Sequence, residues 1–253
     1  MKRKRFFFWS GNLISIYEMF KEKIILAIIP ARSGSKGIKN KNIKKIKGYP
    51  LIYYSIKYAK KAKFIDKIVV STDSKKYCKI VNKFGAETPF LRKKNLAGDG
   101  VQDYPVVLDA LLKSENFYKK KFDIIVLLRP TSPFREKNLI EKSINILLKN
   151  KTSTSVRSMK ISNKHPYRHW IFKKGRKSVT GIIKKLYEPY NIPRQKQPEV
   201  FYQTGDIETI WRTTLINGSI SGKNVYPLIT KKKIIDIDTI KDLNNAKKIK
   251  LTS

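Results

Sequence analysis

Ile28-Ile29-Pro30-Ala31-Arg32-Ser33-Gly34-Ser35-Lys36-Gly37, closed by Lys41-Asn42, is the stretch on which the fold turns. The apolar run Ile24 to Ile29 ends abruptly in a small, glycine-containing, cationic loop. A parallel strand delivers backbone N–H groups and positive charge to a bound phosphate in this way. Ser33, Gly34, Ser35 and Gly37 let the backbone approach a ligand closely. Arg32, Lys36 and Lys41 bring three cations into one short loop, more than a monophosphate needs, so a triphosphate is the natural guest. Neither the Walker pattern nor the dinucleotide fingerprint fits, and Arg32 stands where the latter needs its first glycine. The rival reading is a solvated basic turn, since lysine is frequent everywhere in this chain.

A chain of 253 residues can bury a full core as one large domain, or as one domain plus a small insert. The 41% hydrophobic content, with 13 Tyr, 12 Phe and 3 Trp, argues for a globular protein and against disorder. The net charge is +37, and only 11 of the 56 basic residues are Arg. Nucleic-acid binding is the sharp reading of such a charge. A lysine-rich surface is the plainer one, because the lysines spread along the whole chain and Arg, which suits bidentate phosphate and base contacts, is scarce. No specific nucleic-acid partner is expected, although the charge draws in polyanions such as nucleotides.

Cys78 is the single cysteine, so no disulfide forms within one chain, which fits a reducing cytoplasm. His165 and His169 are the two histidines, and neither sits in a nucleophile motif. Residues 1–22 open with Met1-Lys2-Arg3-Lys4-Arg5 and Phe6-Phe7-Phe8-Trp9, which mimics a signal peptide. Ser10-Gly11-Asn12 then interrupts the apolar part, and no small-residue cleavage site follows. The segment reads as an extension without stable membrane insertion, with Met19 an alternative start, before a domain over 23–253.

Strand and helix patterns alternate. Strands are predicted at Ile24–Ile29, Lys67–Ser71 and Asp123–Leu128, and helices at Pro50–Ala62, Lys75–Phe84, Gln102–Ser114 and Glu136–Leu148. This is an α/β fold, a mainly parallel sheet with helices on both faces. Ligands in such sheets sit beyond the carboxyl ends of the strands. The loops carrying Arg32, Asp73 and Arg129 therefore share one crevice. Residues 151–197, rich in Lys, Tyr and Pro, read as an insert of strands and loops. The core resumes at Glu199–Gln203 and runs through Ile207–Trp211 and Val225–Ile229. It ends in Ile234-Ile235-Asp236-Ile237-Asp238-Thr239 and a helix over about 240–250, capped by Asp238 or Thr239. Asp236 and Asp238 lie two apart, on one face of an extended strand. Two such carboxylates make a hard-oxygen site for Mg²⁺. By spacing alone, a helix cap beside a surface Asp is the plainer reading.

The order Pro-Ala-Arg-x-Gly-Ser-Lys-Gly with Lys41-Asn42 closely resembles the N-terminal signature of the acylneuraminate cytidylyltransferases. Ser71-Thr72-Asp73-Ser74, then Arg92 with Leu96-Ala97-x-Asp99, match further family segments. Leu127-Leu128-Arg129-Pro130-Thr131-Ser132-Pro133 matches Leu-Leu-Gln-Pro-Thr-Ser-Pro, with Arg129 in place of Gln. Ile235-Asp236-Ile237-Asp238-Thr239 matches the C-terminal metal motif. Asp103 stands where many sialic acid enzymes have Ser.

The resemblance covers about residues 24–250 and implies a Rossmann-like nucleotide-diphosphosugar transferase fold with a dimerisation insert. The implied reaction moves CMP from CTP to the anomeric hydroxyl of a nonulosonic, sialic-type acid, releases pyrophosphate and serves surface glycan synthesis. A different acid or a sugar phosphate is the alternative acceptor. Ala31, Arg32, Gly34, Ser35, Lys36, Asn42, Arg92 and Asp103 are implied for the nucleotide. Arg129, Thr131, Ser132, Arg194 and Gln203 are implied for the sugar. Arg32, Lys41, Asp236 and Asp238 are implied for catalysis, the two aspartates holding Mg²⁺. Arg129 admits two roles: pairing with the carboxylate of the sugar acid, or being held by a neighbouring acid. A homodimer is implied by His165-Pro166-Tyr167 and Arg194-Gln195 with Pro198, which resemble the dimerisation region.

Overall fold

The computed structural model describes Phe20, residues 22–232 and residues 235–249. The N-terminal extension thus lies outside the described residues except at Phe20 and Glu22, as does Ile234. Phe20 is buried, and its ring lies 4.1 Å from that of Phe64, so the core takes in a residue that the sequence reading left in the extension.

The strands are β1 (Ile25–Pro30), β2 (Lys45–Ile46), β3 (Tyr49–Pro50), β4 (Lys67–Ser71), β5 (Ile124–Leu127), β6 (Ser155–Ile161), β7 (Trp170–Phe172), β8 (Val179–Gly181), β9 (Phe201–Trp211) and β10 (Val225–Ile229). Six of them form the central sheet in the order β10-β6-β9-β5-β1-β4. β1 runs parallel to both β4 and β5, with Ile28 opposite Val69 on one side and Leu127 on the other. β9 pairs antiparallel with β5. Most of the run Glu199–Gln203 and all of Ile207–Trp211 fall in one continuous strand, Phe201–Trp211.

Alternation along β1 sorts its side chains onto two faces. Ile25, Ala27 and Ile29 face a core shared with helices Leu51–Lys61, Lys75–Asn82 and Leu139–Lys149. Leu26 and Ile28 face a second core built with helices Asp103–Tyr118 and Arg212–Ile216. Because both faces are covered, β1 and β5 are apolar throughout, as a central parallel strand must be. Ser74 caps helix Lys75–Asn82 by accepting from the Tyr77 amide. Thr239 caps helix Ile240–Lys248 in a reciprocal box with Asp242, which settles the choice between Asp238 and Thr239.

The described chain divides into two compact units, one of residues 1–158 and 204–253 and one of residues 159–203. The second unit holds the β7–β8 hairpin, registered Trp170 to Gly181, and the Trp170 and Tyr190 rings 4.4 Å apart. Its Phe172 and Tyr187 are among the most exposed large apolar side chains. No helix among the described residues is long and apolar enough to cross a membrane.

Candidate active site

The loop after β1 is held open by contacts that its own sequence does not announce. The Asp73 carboxylate, at the carboxyl end of β4, accepts from both the Ser33 amide and the Ser33 hydroxyl, each at 2.8 Å. Asn42 is buried and donates from Nδ2 to the Arg32 carbonyl at 3.0 Å. Gly37 has a reason beyond ligand approach: a Cβ there would lie 2.8 Å from the Asp238 carbonyl oxygen. The C-terminal segment therefore packs directly on the loop, anchored by fully buried Ile237, whose amide donates to the Thr131 carbonyl at 2.9 Å. The segment around Asp236 and Asp238 is irregular rather than a strand, a correction to the extended reading. The two aspartates still flank one buried residue, and both are exposed.

These elements border an open cavity of about 400 Å³ at the carboxyl ends of β1 and β5. Arg32, Ser35, Lys36, Lys41 and Asn42 line it from the first loop. Arg92, Asp103, Arg129, Thr131 and Asp238 line it from elsewhere in the chain. Ala31 is fully buried behind the loop, and Ser132 is buried with its hydroxyl unpaired. Gly34 and Asp236 are not in the wall of this cavity. Asp236 lies beside Gly205, where a Cβ would be 3.6 Å from its Oδ2. Arg194 and Gln203 belong to the second unit.

Arg32, Lys36 and Lys41 each have an acidic partner. Asp99 bridges Arg32 at 2.6 Å and Lys36 at 2.9 Å, and Lys41 pairs with Asp238 at 2.7 Å. The hydrogen bond from Lys36, then that from Arg32, holds the Asp99 carboxyl below its ordinary range. Arg92 is buried and donates to the Ser71 hydroxyl at 3.0 Å and the Ser71 carbonyl at 2.6 Å. Burial lowers its guanidinium to about 10, opposed by Asp73 and reinforced by Arg32, so it stays cationic at neutral pH. Arg129 is held by two acids, Asp103 and Glu208, both at 2.5 Å. Of its two open roles, this geometry favours the second.

No group of three or more His, Cys, Asp or Glu clusters as a metal site among the described residues. Two exposed carboxylates flanking one buried residue suit a hard cation that takes its other ligands from phosphate and water, as Mg²⁺ does.

A family model described as cytidylyltransferase matches residues 26–251. The chain belongs to the cytidylyltransferase family. This cytidylyltransferase is 35% identical over 217 residues to the post-translational flagellin modification protein B of Campylobacter coli, covering 85% of this chain and 90% of that protein. It is 45% identical over 109 residues to the CMP-N,N'-diacetyllegionaminic acid synthase of Campylobacter jejuni, covering 43% of this chain and 46% of that one. That alignment spans about half the length of each protein. Its fold matches a CMP:2-keto-3-deoxy-manno-octonic acid synthetase solved with CTP, at TM-score 0.64 and 16% identity over 88% of this chain and 97% of that one. The enzyme is a nucleotidyltransferase.

Sequence reasoning missed what holds this site together in the cytidylyltransferase. Asp99 was visible only as part of a motif, and nothing local marks it as partner to Arg32, 67 positions before it. Glu208, fully buried behind Arg129, was not singled out at all. A Glu between apolar neighbours in a strand, Ile207-Glu208-Thr209-Ile210, was the available signal.

Proposed function

We propose that this cytidylyltransferase transfers CMP from CTP to the anomeric hydroxyl of a nonulosonic acid of the legionaminic, pseudaminic or sialic type. One bond forms, from the anomeric oxygen to the α-phosphorus. One breaks, from the α-phosphorus to the oxygen bridging to the β-phosphate, and pyrophosphate leaves while the hydroxyl proton passes to solvent. The observation that carries this reading is the cationic loop after β1 opening onto the cavity that Arg92, Asp103 and Arg129 also line.

Catalysis of this kind is mostly positioning and charge neutralisation. Arg32, Ser35 and Lys36 bind the triphosphate, whose oxygens replace Asp99 as the partner of the two cations. Lys41 exchanges Asp238 for a phosphate oxygen and neutralises charge that develops during transfer. Asp236 and Asp238 would hold Mg²⁺. When bound, Mg²⁺ lowers the pKa of a coordinated hydroxyl and offsets phosphate charge. Thr131 and Ser132 serve the sugar acid. Residues 151–197 form the dimerisation insert of a homodimer, since Trp170, Phe172 and Tyr187 are too apolar for a free surface. The enzyme works in the cytoplasm and feeds surface glycan synthesis.

Pyrophosphate release measured with CTP, UTP, ATP and GTP over a panel of nonulosonic acids tests the reading. Release with CTP and at least one such acid is expected. Comparable release with UTP or ATP across every acid overturns it.

A further inference from the structure

We infer that Glu208 is a positioning residue for nucleotide selection: through Arg129 it holds Asp103 on the cavity wall as an acceptor for an exocyclic amino group of the base. This rests on the CTP-dependent reading above.

Glu208 sits on β9 opposite Leu127 of β5, two residues before Arg129. Its side chain is fully buried, with one oxygen 2.5 Å from Nη1 of Arg129 and the other 2.9 Å from Nη2 of Arg157. A buried ion network is weak evidence for stability, because well-packed apolar residues of similar volume commonly do as well. What the network provides is a fixed direction. Arg129 spends Nη1 on Glu208 and Nη2 on Asp103, so its fork is divided between two carboxylates rather than offered to one ligand. Burial alone would lower the Arg129 guanidinium, but Glu208 and then Asp103 outweigh it, so Arg129 remains a cation.

Asp103 opens helix Asp103–Tyr118, and its side chain is 45% exposed. Oδ2 faces Arg129, whereas Oδ1 makes no hydrogen bond or ion pair among the described residues. The same cavity is lined by three apolar side chains, Leu96, Val101 and Val106, while Arg32, Lys36 and Lys41 supply the phosphate-binding charge. A flat heterocycle can pack on those three side chains. An ionised carboxylate only accepts hydrogen bonds. It therefore receives the amino group of an aminopyrimidine and repels the carbonyl oxygen that uracil carries at the same position. Arg129 and Asp103 touch each other. The pair forms one device, with Glu208 as its anchor.

Calorimetric titration of CTP and of UTP, with Mg²⁺ and the full chain, tests this in wild type, Glu208→Gln, Asp103→Asn and Arg129→Gln. Wild type is expected to prefer CTP by at least tenfold. The preference should fall about tenfold in Asp103→Asn and at least fivefold in Glu208→Gln. Partial unfolding lowers the binding stoichiometry for both nucleotides alike and leaves their affinity ratio unmoved, so the ratio separates positioning from stability. If Glu208→Gln does not fold, Arg129→Gln decides, since it leaves Glu208 paired with Arg157. A folded variant that keeps the ratio within twofold of wild type, or a wild type without preference, overturns the inference. A wild type that selects CTP yet makes no CMP-linked product from any nonulosonic acid overturns the reading above and leaves this one standing.

Discussion

Replacing Asp73 with Ala removes both acceptors that hold Ser33, and with them the shape of the loop after β1. The carboxylate takes the Ser33 amide and hydroxyl at 2.8 Å each. Hydrogen bonds to a charged group contribute about 1.5–3 kcal/mol apiece, and half-buried ones belong at the low end, so the pair is worth about 3 kcal/mol. Asp73 also favours the buried Arg92 cation, which lines the same cavity. The loop is then ordered by the nucleotide instead of by the protein, and binding bears the ordering cost. We expect about 2 kcal/mol of the loss in CTP affinity, roughly a thirtyfold rise in Kd. The remaining 1 kcal/mol lowers Tm by about 2–4 °C in a chain of this size. Calorimetric titration with CTP and a thermal melt read the two parts separately. Asp73→Asn keeps one acceptor and should fall between. Unchanged CTP affinity in Asp73→Ala, within twofold, together with an unchanged Tm, would refute the claim that Asp73 shapes the loop.

Gly37→Ala forces a methyl to 2.8 Å from the Asp238 carbonyl, so the C-terminal segment must shift; an overpacking loss of about 1–3 kcal/mol is expected in a denaturant melt. Lys41→Ala should reduce turnover by about two to three orders of magnitude, the scale of losing one charge-stabilising donor, as measured by pyrophosphate release. Asp236→Asn and Asp238→Asn should each fold and lose activity steeply. Their double variant should be little worse than the worse single, with partial rescue at high Mg²⁺. Near-parental activity of both singles at low Mg²⁺ would reduce the pair to surface carboxylates. Sedimentation should find a dimer, and a fully active monomer would remove the role given to residues 151–197.

The layered architecture, the strand–loop boundary at Pro30 and the family are legible in the chain, because the patterns that carry them are local. Continuous apolar runs mark strands buried on both faces, and a glycine- and lysine-rich loop marks where β1 stops. Helix limits moved by a few residues, as at Gln102–Ser114 against the observed Asp103–Tyr118, since frayed ends carry little pattern. Which charges meet is set by the folded arrangement. Lys41 finds Asp238 across 197 positions and Arg129 finds Glu208 across 79. In a chain with 56 basic residues, no local feature tells one such cation from another. Partnership is set by where the sheet order and the buried anchors, Ile237 above all, bring the carboxylates. For the same reason the sequence left Arg129 with two roles, and the antiparallel seating of β9 beside β5 puts Glu208 behind it and favours one.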